Sequence, residues 1–165
     1  MYVWDNTVGS SKRVNQTALA YIAGFLDGDG CIKARIKKKP DNRFGWYLDI
    51  VVSFSQHIRN EAVLEWIKAH LRHGTIKDYS NKRLSEYTIY GSEFLTRLLK
   101  ALKPYVVNKA TQLELALHLL SLTKRYKDKR EFSKALQLAE KIRSLNNYPK
   151  KHSFSSPVTT DLHSI

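Results

Sequence analysis

Hydrophobic spacing along this chain changes period several times, and each change predicts an element. From Asn15 the pattern is helical, with Asn15 or Thr17 available as a cap, and it carries to about Asp27, where Gly28 and Gly30 stop it. Strict alternation follows. Ile32, Ala34 and Ile36 fall on one face and Lys33, Arg35 and Lys37 on the other, the period of a half-buried strand. The stretch KKKPDNRFG, with turn-forming Pro40, Asp41, Asn42 and Gly45, predicts a loop. A second strand over 46–56 turns Leu48, Ile50, Val52 and Phe54 inward and Tyr47, Asp49, Val51, Ser53 and Ser55 outward.

A helix is predicted over about 59–71, with Ala62, Val63, Trp66 and Ile67 on one side. Residues 75–79 and 84–90 then read as a hairpin about Ser80 and Asn81. Three further helices are expected over 93–102, 104–122 and 130–145. The order predicts an α+β domain over 15–146, an antiparallel sheet backed by helices, between a flexible leader (1–14) and a polar tail (147–165). No second copy of the stretch 22–39 is present, so the domain has no internal repeat.

Charge changes the picture next. Twenty-eight Lys and Arg stand against fifteen Asp and Glu, a formal +13 that makes a polyanion the default partner. The outer face of the sheet carries Lys33, Arg35, Lys37, Tyr47, Asp49, Ser53, Lys77, Tyr79, Glu86, Thr88 and Tyr90. A solvated face is the plain alternative. However, long cations mixed with hydroxyls and single acids suit base-edge reading in a DNA major groove. The one cysteine, Cys31, excludes an internal disulfide and the usual multi-Cys zinc sites. The N-terminal stretch has no apolar h-region, and the richest apolar run, 113–122, is interrupted by Glu114 and His118. The expectation is a soluble protein with no membrane association and no small-molecule cofactor.

The candidate chemistry lies where the first helix ends. Asp27 and Asp29 sit at a negative dipole end, where carboxylates are disfavoured unless a cation is bound. A hard divalent metal takes carboxylate, carbonyl, water and phosphate oxygens. An EF-hand loop is excluded, since its sixth position is Ile32 and its twelfth Lys38; a plain Asp-Gly turn remains open. Ala20, Gly24 and Gly28 repeat every four residues along the same helix. Mid-helix Gly24 costs about 1 kcal/mol against Ala, which calls for a close-packing reason. With no internal repeat to pack there, the expected partner is a second copy, through Ala20, Gly24, Asp27 and Gly28.

The nine residues IAGFLDGDG, 22–30, resemble the LAGLIDADG motif of homing endonucleases, with Ala23, Gly24, Asp27, Asp29 and Gly30 identical. The likeness runs over about 15–151, and the single motif resembles the homodimeric members encoded in organellar group I introns. The resemblance implies an αββαββα core whose saddle-shaped sheet lies along DNA. It implies site-specific double-strand cleavage of a long pseudo-palindromic site, dependent on Mg2+, with Mn2+ or Ca2+ as structural substitutes. Asp29 matches the metal-binding acid, Gly28 contributes its carbonyl, Gln56 organises the attacking water, and Lys109 lies near the scissile phosphate. Asp27 takes a mainly structural role, and Lys150 and Lys151 contact phosphates. One departure is that Asn60, beside Arg59, stands where relatives place a basic residue. His70 and His73 lack the companions of a His-metal nuclease and read as helix-end polar residues. An RNA-binding maturase and a catalytically inactive DNA-binding regulator remain alternatives, and the resemblance implies a chloroplast or mitochondrion as the compartment.

Overall fold

The computed structural model describes residues 15–123, 126 and 128–146. The expected leader and tail, with Lys150 and Lys151, lie outside them. Helix α1 (Gln16–Asp29) starts where Asn15 Oδ1 accepts the Thr17 N–H at 3.0 Å, and it buries Leu19, Ile22, Ala23 and Leu26. It runs two residues past the predicted end, because Gly28 stays helical and the Gly30 N–H still donates back to the Phe25 and Leu26 carbonyls. Gly30 is also the first residue of strand β1 (Gly30–Lys38). A Cβ there would stand 2.6–2.8 Å from Leu26 atoms, main chain included, so only glycine lets the helix turn directly into the strand.

Strand β1 pairs antiparallel with β2 (Trp46–His57), Arg35 standing opposite Asp49 and Gly30 opposite Phe54. Strands β3 (Thr75–Tyr79) and β4 (Leu84–Ile89) complete a four-stranded sheet in the order β1-β2-β4-β3. The inner face carries Ile32, Leu48, Ile50, Val52, Phe54, Tyr87 and Ile89, all buried. Those residues and the buried leucines of the helices form one hydrophobic core, the main driving term for the fold. Among them Tyr87 donates its hydroxyl to the His73 carbonyl, and burial pushes that phenol well above its ordinary range.

Helices α2 (Ala62–Leu71), α3 (Ser92–Leu102), α4 (Ala110–Thr123) and α5 (Lys129–Leu145) follow. Two of these starts differ from the sequence reading. Residues Ile58–Asn60 form a 3-10 turn, with the Arg59 N–H donating to His57 Nδ1, which delays α2. Residues 104–109 form a turn instead of a first helical segment of α4, for a reason that belongs to the site below. The buried side of α2 is Leu64, Ile67 and Leu71; Trp66, expected with them, is 39% exposed. At the far end Asn146 Nδ2 donates to the Ile32 carbonyl at 2.8 Å, tying α5 to the free edge of β1. Among the described residues no helix is long and apolar enough to cross a membrane.

Candidate active site

Strand register decides what meets the end of α1. Phe54 faces Gly30 at the start of β1, so Gln56 lies two residues beyond β1's end and on the same inner face as Phe54. That places its amide over the helix–strand junction, where Gln56 Nε2 donates to Asp29 Oδ2 at 2.6 Å. Asp29 itself is exposed. The more open carboxylate of the pair is therefore oriented by a neutral amide, at the negative end of a helix.

Asp27 has the opposite surroundings. Oδ2 accepts the Val107 N–H at 2.7 Å and the Asn108 N–H at 3.1 Å, and Oδ1 accepts the Lys109 N–H at 2.9 Å. Three successive backbone donors thus converge on one carboxylate, an anion nest. Burial acts to raise the Asp27 carboxyl; the three main-chain bonds and the Lys109 charge outweigh it and hold the group below its ordinary 3.8. The bonds run in both directions. Lys109 Nζ donates to the Asp27 carbonyl at 2.6 Å and Asn108 Nδ2 to the same oxygen at 3.3 Å. Donors engaged in this way are fixed in a turn, which is why α4 begins only at Ala110, after the Lys109 carbonyl accepts the Leu113 N–H. The cation also rests at the C-terminal end of α1, where the dipole favours it. Asn108 is a site residue that the sequence reading missed; an asparagine just before a helix start was its one signal.

The structure therefore brings Asp27, Asp29, Gln56 and Lys109 to the C-terminal end of α1, Asp29 with Gln56 and Asp27 with Lys109. No group of three or more His, Cys, Asp or Glu side chains that could hold a metal occurs among the described residues. What the chain offers a hard cation is the exposed Asp29 carboxylate beside the side-chain-free main chain at Gly28. That donor set suits magnesium, which keeps waters and takes phosphate oxygens, better than an all-protein cage.

The outer face of the sheet is more internally paired than its sequence suggests. Arg35 Nε donates to Asp49 Oδ1 at 2.9 Å, with a second bond from Nη2 to Oδ2. Lys33 Nζ donates to Glu86 Oε1 at 2.8 Å. Since Lys33 stands opposite Val51 and Glu86 opposite Ser55, this bridge crosses β2 above Ser53. Ser53 is accordingly 2% exposed, a correction to its expected place on the open face. Lys37, Tyr47, Lys77 and Tyr90 are exposed and Tyr79 and Thr88 half-buried; the Lys77 ammonium lies over the Tyr79 ring at 5.3 Å. Tyr90 falls just beyond β4, its carbonyl hydrogen-bonded to His73 Nε2 at 2.7 Å. His70 Nδ1 bonds the Trp66 carbonyl at 2.8 Å, so both histidines serve local structure.

Ala20, Gly24 and Gly28 are exposed in line along α1. A Cβ at Gly24 or Gly28 would meet nothing within 4 Å, so the chain itself gives neither glycine a steric reason. Beside the stripe, Tyr21 is 50% exposed and packs edge-on against Trp66 at 5.1 Å between ring centroids.

A profile of the LAGLIDADG endonuclease family matches residues 22–117. DNA endonuclease I-CvuI of Chlorella vulgaris is 29% identical over 137 residues, 83% of this chain and 84% of that one. DNA endonuclease I-CreI of Chlamydomonas reinhardtii is 25% identical over 156 residues, 94% of each chain. The crystal structure of I-CvuI in complex with the I-CreI target matches with a TM-score of 0.81 at 28% identity, over 90% of this chain and 94% of that one. It was obtained in the presence of magnesium, and a second I-CvuI–DNA structure in the presence of calcium. With the motif at the turn from α1 into β1 and the sheet and helices of those relatives around it, this chain belongs to the LAGLIDADG endonuclease family.

Proposed function

We propose that two copies of this chain form a site-specific double-strand DNA homing endonuclease, each copy cutting one strand of a long pseudo-palindromic site by phosphodiester hydrolysis. The observation that carries the reading is the exposed Asp29 carboxylate, held by Gln56 at the end of a helix whose Ala20–Gly24–Gly28 face is uncovered. Self-complementary packing of that face about a twofold axis gives each glycine the neighbour it lacks within the chain. The same axis sets two Asp29 groups beneath one continuous sheet surface. Tyr21 and Trp66 extend the apolar seam.

In this reading the outer face lies along the major groove and the surrounding cations bind phosphates, which makes affinity steeply salt-dependent. Asp29 and the Gly28 carbonyl would hold magnesium together with water and phosphate oxygens. When bound, the cation supplies charge neutralisation and activation of water for attack on phosphorus. Gln56 spends one amide N–H on Asp29 and keeps its other N–H and its carbonyl to orient a water. Lys109, already fixed on the Asp27 carbonyl, places positive charge near the strand being cut. Asp27 acts through the turn it holds. The alga-derived relatives support an organellar setting, chloroplast or mitochondrion, and a role in intron homing.

Incubation of the purified protein and magnesium with DNA spanning intron-insertion sites tests this directly. Cleavage of both strands, lost in Asp29→Asn while binding persists, is the expected result. Binding to such DNA without nicking in magnesium would reject the reading.

A further inference from the structure

Two cations on the outer face are already engaged by acids, and the Arg35–Asp49 pair is the more constrained. The residues stand directly opposite each other on β1 and β2. The guanidinium is gripped by two parallel bonds, from Nε and from Nη2, to the two carboxylate oxygens. The acid is the covered partner, its side chain 16% exposed against 39% for the arginine. Two of the five guanidinium N–H groups are used, which leaves three, both on Nη1 among them. Such a bidentate pair helps hold the two strands together, but uncharged cross-strand pairs do so as well, so folding alone does not call for an acid in the middle of the basic face of a chain carrying +13.

Lys37 and Lys77 have no ion-pair partner among the described residues. Cations of that kind gain from any phosphate, hence from any sequence. Arg35 differs in three respects. Its swing is removed, its charge is locally cancelled, and a phosphate approaching it meets the Asp49 carboxylate. What it still presents is a fixed fork of N–H groups, the shape that fits the O6 and N7 acceptors of guanine in the major groove. Resting on the reading above that this face meets DNA, we infer that Asp49 is a specificity-determining residue, holding Arg35 for base edges and withholding it from phosphates. Discrimination then comes from repelling the wrong contact as much as from making the right one.

Binding of the full chain to a random-sequence duplex pool, without divalent ions and across a salt series, separates the outcomes. Asp49→Ala is expected to bind the pool more tightly, with a log–log salt slope steeper by about 1.8, one additional phosphate contact from each of the two copies. Sequences recovered from the pool by the variant should lose base preference at one position in each half. Adding Arg35→Ala should restore the wild-type slope. Asp49→Asn, which keeps the volume, should move the slope in the same direction and guards against a folding defect in the alanine variant. An unchanged slope and unchanged preference in both Asp49 variants would overturn the inference, as would weaker binding at constant slope, which would make Asp49 itself the base contact. Absence of salt-dependent binding by the wild type would instead overturn the DNA reading, before any substitution is made.

Discussion

Helix α1 and its junction with β1 treat polar and small residues in two opposite ways. At Asp27 and Gly30 everything is answered within the chain: three backbone N–H groups satisfy Asp27, and the Leu26 main chain leaves no room for more than a hydrogen at Gly30. At Asp29, Gly24 and Gly28 little is: Asp29 is exposed and bonded to one amide, and the two glycines face open space. Two carboxylates two residues apart are thereby given different work. Asp27 is part of the scaffold, and Asp29, in the function proposed above, is the group left to bind a cation. An identical side chain next to the same helix end acquires its role from whether its hydrogen bonds are already spent.

Substitutions should separate the two groups, starting with the largest effect. Asp29→Asn is expected to reduce cleavage to background while leaving the unfolding free energy within about 0.5 kcal/mol of wild type, since an exposed side chain contributes little to folding; a large loss of stability would erase the contrast. Gly24→Leu should weaken self-association at least tenfold, equivalent to about 1.4 kcal/mol, measured by sedimentation equilibrium, with the helical content of the chain retained. An undiminished dimer would place the subunit contact elsewhere. Gly30→Ala should destabilise the chain by about 1–3 kcal/mol through the clash with Leu26, read from chemical denaturation. Gly28→Ala, which meets no atom of its own chain, should not.

Asp27→Asn makes the smallest and most specific change. Its amide group faces donors where a carboxylate oxygen accepted, and the expected cost is about 1–2 kcal/mol, like the loss of a helix cap. The pH dependence sharpens this. A carboxyl held below 3.8 in the folded state contributes fully above that value, and its contribution is lost as pH falls through the depressed one. Wild type should therefore lose stability on acidification from about pH 3.8 downward, and the Asp27→Asn variant should show a shallower decline over that window. Parallel acid limbs would show that the nest does not depend on charge.

Sequence periodicity was sufficient for elements whose determinants are local. Alternation placed Lys33, Arg35 and Lys37 opposite Ile32, Ala34 and Ile36, and those strands and faces are the observed ones. What it could not contain was contact across long separations. The start of α4 depends on a carboxylate some eighty positions earlier, and Pro104 read equally well as a helix start without it. Ser53 alternates outward as expected and is buried anyway, because a lysine and a glutamate on different strands bridge over it. The same two ion pairs turn acids expected to read bases into groups that restrain cations. Trp66 departed for a third reason, since an aromatic at helical spacing fits either a core or a seam between subunits.

The hairpin joining β1 and β2 has a consequence far from its own location. Residues 39–45 close through Lys39 N–H to the Gly45 carbonyl at 2.8 Å and Asn42 Nδ2 to the Trp46 carbonyl at 2.9 Å, with Gly45 at a φ of +70°. That closure fixes which residue pairs with which, down to Gly30 opposite Phe54, about 27 Å away along the strands. One residue added to or removed from the bend would slide the ladder by a single step and rotate Gln56 to the opposite surface. A remote caliper thus sets the site: Asn42 and Gly45 shape the bend, and its length is bound to the Gln56 amide at the other end.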